Sequence, residues 1–234
     1  MTIPLVEPAI QPVGDSGLMV RFGAEVDPDI HAQVLEADSA ISAAGIPGVT
    51  ELIPSFAALF VGYDPLQTDF DTVSAAVRAL GPIKSKERAT GKIWQVPVCY
   101  DDGLSPDLAE VAARTGLSEE DVINAHLGGD YLLYMYGFAP GYAYLGGVPK
   151  EIQLPRKSAP VRDIPAGAVM IAGPQALVTT ITMPTGWWII GQSPFQFLRP
   201  GEDNPFPLAV GDRVQFTRMS RDDYERAAGL GAMT

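Results

Sequence analysis

Hydrophobic positions along the first third of the chain change period several times, and each change marks an element. The stretch IQPVGDSGLMVRF reads as a turn leading into a strand. In DPDIHAQVLEADSAI, Ile30, Val34, Ala37 and Ile41 fall at helical spacing behind Asp27 as N-cap and Pro28 at the first helical position. Gly45 and Pro47 end that helix. VTELIP and FAALFVGY are short β-rich runs broken at Ser55, which predicts a hairpin. Thr68 opens a second amphipathic helix, with Phe70, Val73, Val77 and Leu80 inward and Gly81-Pro82 as the stop. The order strand–helix–strand–strand–helix, with room for a final strand, predicts an α+β domain of ferredoxin-like type over residues 1–85.

The polar segment GPIKSKERATGK (81–92) reads as a domain boundary, and a mostly β domain is expected over residues 86–220. A strand, KIWQVPVCY, precedes two short helices, SPDLAEVAARTG and SEEDVINAHLGG. Ser105 with Pro106, and Ser118 with Asp121, supply their N-terminal signals. From residue 130 onward helical spacing disappears. The runs YLLYMY, AVMIAG, ALVTTITM, WWIIG and RVQF alternate with Gly and Pro, the signature of a β-barrel or sandwich. The tail, 221–234, is polar, then small, and is expected to fray.

Composition narrows the function classes. The 234 residues are 47% apolar and 19% charged, a globular balance, and the net charge of −12 opposes a phosphate-backbone partner. The helix pair has helix-turn-helix spacing around Gly116. However, Asp107, Glu110, Glu119, Glu120 and Asp121 face Arg114 alone across it, which disfavours DNA. Cys99 is the sole cysteine, so no internal disulfide is possible; with only His31 and His126 besides, no metal centre is expected. The chain shows neither a leader pattern nor an apolar run near 18 residues, and a cytoplasmic location is expected. Cys99, His126 and Asp212 read as structural, and no G-x-x-x-x-G-K-S/T phosphate loop occurs.

Two stretches carry candidate chemistry. GFAPGYAYLGGVP (137–149) holds four glycines, two prolines and three aromatics without a charge, a poor helix and a poor strand. KEIQLPRKSAPVRD follows at once and sets Lys150, Arg156, Lys157 and Arg162 against Glu151 and Asp163. A proline-flanked guanidinium is pre-positioned to fork onto a carboxylate or phosphoryl oxygen, and Lys157 is expected to stay solvated.

Taken in order, GFAPGYAYLGG, LPRKSAPVRDIPAGAV, IAGPQALV, MPTGWWIIGQSP and PLAVGDRVQF resemble one family. It contains allophanate hydrolase subunit 1, the B subunit of the prokaryotic ATP-dependent 5-oxoprolinase, and a sporulation histidine-kinase inhibitor. The likeness extends from about residue 10 to 218. It implies an N-terminal α+β domain, a C-terminal cyclophilin-like β-barrel, and a homologous cyclophilin-like second subunit. It also implies a third, lactam-utilisation subunit, with ATP used by the assembled complex to open a lactam to glutamate.

On this resemblance the chain is a non-autonomous subunit of an ATP-dependent amide or lactam hydrolase. Arg156 binds the anion and Gln175 orients the scissile carbonyl. Phe138, Pro140, Gly141, Tyr142, Tyr144, Arg162, Gly173, Trp187 and Gln192 are the binding residues. Trp188, Phe195 and Phe197 are candidate interface aromatics. Several positions depart from the family's pattern: Pro160-Val161 with Arg162 one residue late, Gln175-Ala176-Leu177, Pro184-Thr185-Gly186-Trp187, and Gln192. These touch the binding motifs and leave the substrate open among lactams, ureido acids and amides. The alternative is a binding module that inhibits a histidine kinase. Prolyl isomerisation rests on fold analogy alone.

Overall fold

A computed structural model describes residues 8–82 and 91–229, so most of the boundary segment read over 81–92 lies outside the described residues. The chain forms two compact units, residues 1–90 and 91–234.

The first unit begins with an antiparallel pair, β1 (Ala9–Pro12) and β2 (Gly17–Arg21). The first residues of IQPVGDSGLMVRF are therefore strand, and the turn follows them. Helix α1 (Pro28–Ala44) is capped by the Asp27 carboxylate, which accepts from the N–H groups of Asp29 and Ile30 at 2.8 and 3.0 Å. Its fully buried stripe is His31, Val34, Ala37 and Ile41, with Ile30 half-buried beside it. β3 (Val49–Pro54) and β4 (Ala58–Tyr63) form the expected hairpin, and α2 (Phe70–Ala79) follows. Leu80, predicted inward, is the exposed C-cap of α2, because the helix stops one residue before it. The sheet order is β1-β2-β4-β3. No strand follows α2 among the described residues of this unit; the edge beside β2 is taken by β1.

The second unit is a nearly closed barrel. Its strands are β5 (Ile93–Val98), β6 (Tyr131–Tyr136), β7 (Ala143–Gly146), β9 (Ala168–Ala172), β10 (Gln175–Val178), β12 (Trp188–Gln192) and β13 (Arg213–Arg218). Their order is β12-β9-β10-β7-β6-β13-β5, with β13 and β5 parallel and the other pairs antiparallel. Cys99 and Gln192 exchange backbone hydrogen bonds of 2.8 and 2.9 Å, which draws the two ends of the sheet together. A separate ladder pairs β8 (Val161–Ile164) with β11 (Met183–Thr185).

Helices α3 (Leu108–Thr115) and α4 (Glu119–Leu127) cap the barrel, their Leu108, Val111, Val122 and Ile123 sharing one core with Val96, Leu133, Leu145 and Phe216. His126 is buried there, stacked on Phe216, with the Tyr100 hydroxyl 2.7 Å from Nδ1. Asp212 ties the turn before β13 by accepting from the N–H groups of Lys92 and Ala209 and from Trp94 Nε1, at 2.9, 2.9 and 2.8 Å.

Four expectations are corrected here. The tail is not frayed at its start: Arg221–Ala227 form α5, capped by Ser220, with Tyr224 buried. Ala143–Gly146, inside the stretch read as a poor strand, is β7. The run ALVTTITM is split: β10 ends at Val178, and the Thr179 hydroxyl accepts from Ala168 N–H and donates to Pro165 O, both at 2.7 Å. Trp188 and Phe197 are core residues, and Phe195 is half-buried against Trp94 and Phe197. None of these three forms an exposed aromatic patch; strand alternation and the barrel's own core claim them.

Candidate functional site

Alternation along β9, β10 and β12 divides their side chains between two faces. Val169, Ile171, Ala176, Val178, Trp188 and Ile190 pack inward with the barrel core. Ala168, Met170, Ala172, Leu177, Trp187 and Ile189 form a second, smaller cluster outside it, joined by Tyr142 and Tyr144. Register sets Ile189, Met170 and Leu177 in one row across the strands and Ala172 with Gln175 in the next.

The loop between β6 and β7 reaches over this outer cluster. Gly137 N–H donates to Tyr142 O at 3.2 Å, and Thr180 Oγ1 donates to Pro140 O at 2.7 Å, fixing the loop's two sides. Gly141 has φ +72°, and a Cβ there would come 2.7 Å from Leu198 Cβ, so only glycine fits.

Under the loop lies a cavity of about 200 Å³, lined by Phe138, Tyr142, Tyr144, Arg156, Met170 and Trp187 among others. The aromatic rings form a chain: Phe138–Tyr142 centroids are 5.8 Å apart, Tyr142–Tyr144 6.3 Å, and Tyr144–Trp187 6.1 Å. The Arg156 guanidinium carbon stands 5.5 Å over the Trp187 ring. Among the described residues no carboxylate pairs with Arg156, which leaves its fork open to the cavity.

Burial pushes the Tyr142 phenol up to about 12, and the neighbouring Tyr144 adds to that. Burial also raises Tyr144, partly offset by the positive charge of Arg156. Both are neutral donors near pH 7. The cavity therefore offers one cation, two phenols and an aromatic wall, which suits a small anion with an apolar or planar body. None of the described residues lining it is a thiolate, imidazole or carboxylate that could act as nucleophile or general base.

Lys157 also borders the cavity, but its charge is committed elsewhere, contrary to the expectation of a solvated side chain. Nζ sits 2.6 Å from Asp107 Oδ2, with both side chains largely buried at 12% and 14% exposure. The same Asp107 carboxylate accepts from Ile189 N–H at 2.6 Å. This explains why Asp107, at the start of α3, makes no side-chain cap there.

Phe138, Tyr142, Tyr144, Arg156 and Trp187 thus come together around one cavity. The other sequence candidates do not line it. Gln175 stands on the same sheet face but one row along, beside Ala172. Gly173 forms the β9–β10 turn at φ +52°. Arg162 is exposed on β8. Gln192 is buried at the barrel closure, its Nε2 donating to Ala166 O at 2.6 Å. Pro140 and Gly141 shape the loop without facing the cavity. Sequence reasoning missed Met170, which reads as an ordinary strand residue, and Asp107, whose partner lies 50 positions away.

The barrel thus carries a cavity lined by aromatic rings and an arginine on its outer face. The family model for the carboxyltransferase domain, subdomain C and D, matches residues 8–208, and the chain belongs to that family. It is 41% identical over 226 residues to the 5-oxoprolinase B subunit of Bacillus subtilis (strain 168), covering 92% of this chain and 94% of that one. The crystal structure of TTHA0988 is similar with TM-score 0.77 and 32% identity, over 88% of this chain but 40% of that longer one. The uncharacterized protein PH0987 of Pyrococcus horikoshii is 36% identical with TM-score 0.56, over 92% of this chain and 100% of that one.

Proposed function

We propose that this chain is one subunit of an ATP-dependent lactam or amide hydrolase of the 5-oxoprolinase type, and that the cavity under the β6–β7 loop binds its small anionic substrate. The observation that carries this reading is the Arg156 guanidinium over Trp187, without a carboxylate partner among the described residues, in a cavity whose wall includes four aromatic rings and whose other cation, Lys157, is paired with Asp107. It stands in a chain 41% identical to a 5-oxoprolinase B subunit. Arg156 holds the substrate carboxylate or a phosphoryl group. The neutral phenols of Tyr142 and Tyr144 supply hydrogen-bond donors for the scissile carbonyl, a role the sequence assigns to Gln175. The latter remains a neighbour on the same face.

The chemistry of bond cleavage belongs to the assembly. ATP supplies the driving force when bound to the assembly, and this chain carries no G-x-x-x-x-G-K-S/T phosphate loop of its own. The partners in this reading are a homologous cyclophilin-like subunit and a lactam-utilisation subunit. The first unit is read as ferredoxin-like, with β1 at the edge that a final strand would occupy, and the second as cyclophilin-like. Domain limits of 1–85 and 86–220 and a cytoplasmic setting belong to the same reading.

The test is co-purification with the proteins encoded beside it, followed by an assay of 5-oxoproline-dependent ATP hydrolysis. Turnover by the assembly and silence from the isolated chain are expected. An assembly inert towards 5-oxoproline, allophanate and related amides would reject the reading.

A further inference from the structure

Phe138 occupies a position that neither packing nor backbone preference explains. Its φ is +67°, and 80% of its surface is exposed. Ala139 N–H donates to Gly137 O at 2.8 Å, closing a three-residue turn around Phe138. With a positive φ at the centre this is the rare, strained hand of the γ-turn. Bulky side chains are disfavoured there, and this loop already uses glycine at its other left-handed position, Gly141. The ring gains little in return, since its described ring contact is a tilted one with Tyr142 at 5.8 Å. Strain of this kind, where the fold does not require it, points to function.

Its location says which function. Phe138 lines the cavity and is the outermost member of the ring chain that runs through Tyr142 and Tyr144 to Trp187 and Arg156. We propose that Phe138 is a specificity-determining lip: its ring closes over the planar body of a small carboxylate-bearing ligand whose carboxylate is held by Arg156. The strained turn aims the ring at the cavity mouth before any ligand arrives, so little ordering is left for binding. The lip selects ligands with a flat ring or amide plane over carboxylates of similar charge that lack one. This rests on the cavity being the ligand site, as proposed above.

The test is calorimetric titration of 5-oxoproline into the full chain, alone and with its encoded neighbouring subunits, for wild type, Phe138→Gly, Phe138→Leu and Arg156→Ala. Losing one aromatic face should weaken Phe138→Gly by roughly 5- to 10-fold. Phe138→Leu should fall between it and wild type, and the thermal midpoint of Phe138→Gly should hold or rise by about 2–4 °C. Wild-type affinity in Phe138→Gly, with Arg156→Ala impaired, would overturn the lip and spare the cavity. A midpoint lowered by Phe138→Gly would make the residue structural and overturn the lip as well. Failure of wild type, alone or assembled, to bind 5-oxoproline and, in the same titration, allophanate and related amides would bring down the cavity reading and the lip with it.

Discussion

Trp187 and Trp188 are neighbours in sequence, yet they belong to opposite faces of one sheet, and Arg156 and Lys157, which both border the outer cavity, differ in their partners. Trp188 packs in the barrel core, its Nε1 donating to Pro155 O at 2.8 Å. Lys157 stands 5.3 Å from that ring and is neutralised by Asp107 at 2.6 Å. Trp187 belongs to the outer cluster, with the open guanidinium of Arg156 at 5.5 Å. Two cations lie over Trp188, Arg114 at 5.1 Å and Lys157, and each is paired with a carboxylate, Glu110 and Asp107; the cation over Trp187, Arg156, has no carboxylate partner among the described residues. The inner pair is tied into the fold, and the outer pair is the one proposed to meet a ligand. Residue type alone would have treated both pairs alike; the partner of each cation separates them.

That contrast can be broken most forcefully at Trp188. Trp188→Ala removes a core ring and its hydrogen bond, and should cost about 3–5 kcal/mol, read by denaturant unfolding. A loss below about 1 kcal/mol would mean that the inner face is not sealed around it.

Lys157→Ala is next. It strands a largely buried Asp107 carboxylate, and a loss of about 3 kcal/mol in stability is expected. Wild-type stability in this variant would return Lys157 to the solvated surface.

A smaller effect, confined to acid, comes from His126. Burial lowers its pKa from 6.5 to about 3, so the unfolded chain binds a proton that the folded one refuses. Stability is therefore full above about pH 6.5 and is lost as pH falls from there towards about 3. His31 in the first unit, lowered to about 4 chiefly by burial, acts in the same direction. His126→Gln should make the decline between about pH 6.5 and 5 shallower; an unchanged slope would show that the folded core accepts the proton.

The smallest expected change is at the outer face. Thr180→Ala removes the bond to Pro140 O and should cost about 1 kcal/mol or less, with faster amide exchange confined to the β6–β7 loop.

Much of this contrast is legible in the sequence. Proline and glycine punctuation marks most strands, caps mark α1 and α4, and motif order points to Phe138, Tyr142, Tyr144, Arg156 and Trp187. The rest depends on long-range pairing. Asp107 and Lys157 meet across 50 residues, and no local pattern announces that contact. Gln175 and Gln192 carry amides suited to a site, but register and barrel closure decide where those amides point. The tail becomes helix because Ser220 caps it and Tyr224 finds a buried place, which its polar composition conceals.

The central claim is that Arg156, and not Lys157, is the cation that meets the substrate. Its most direct test is to compare Arg156→Ala with Lys157→Ala in the assembled enzyme, measuring KM for the lactam and the thermal midpoint of each, at a temperature where both are folded. Arg156 is exposed in this chain, and once ligand and assembly desolvate its guanidinium–carboxylate pair, losing one side costs about 2–5 kcal/mol. Arg156→Ala should therefore weaken substrate use by roughly thirty- to several-thousand-fold at about 1.4 kcal/mol per decade, with its midpoint unmoved. Lys157→Ala should lower the midpoint and leave KM near wild type. A KM effect in Lys157→Ala equal to that of Arg156→Ala, or none in either, would contradict the account.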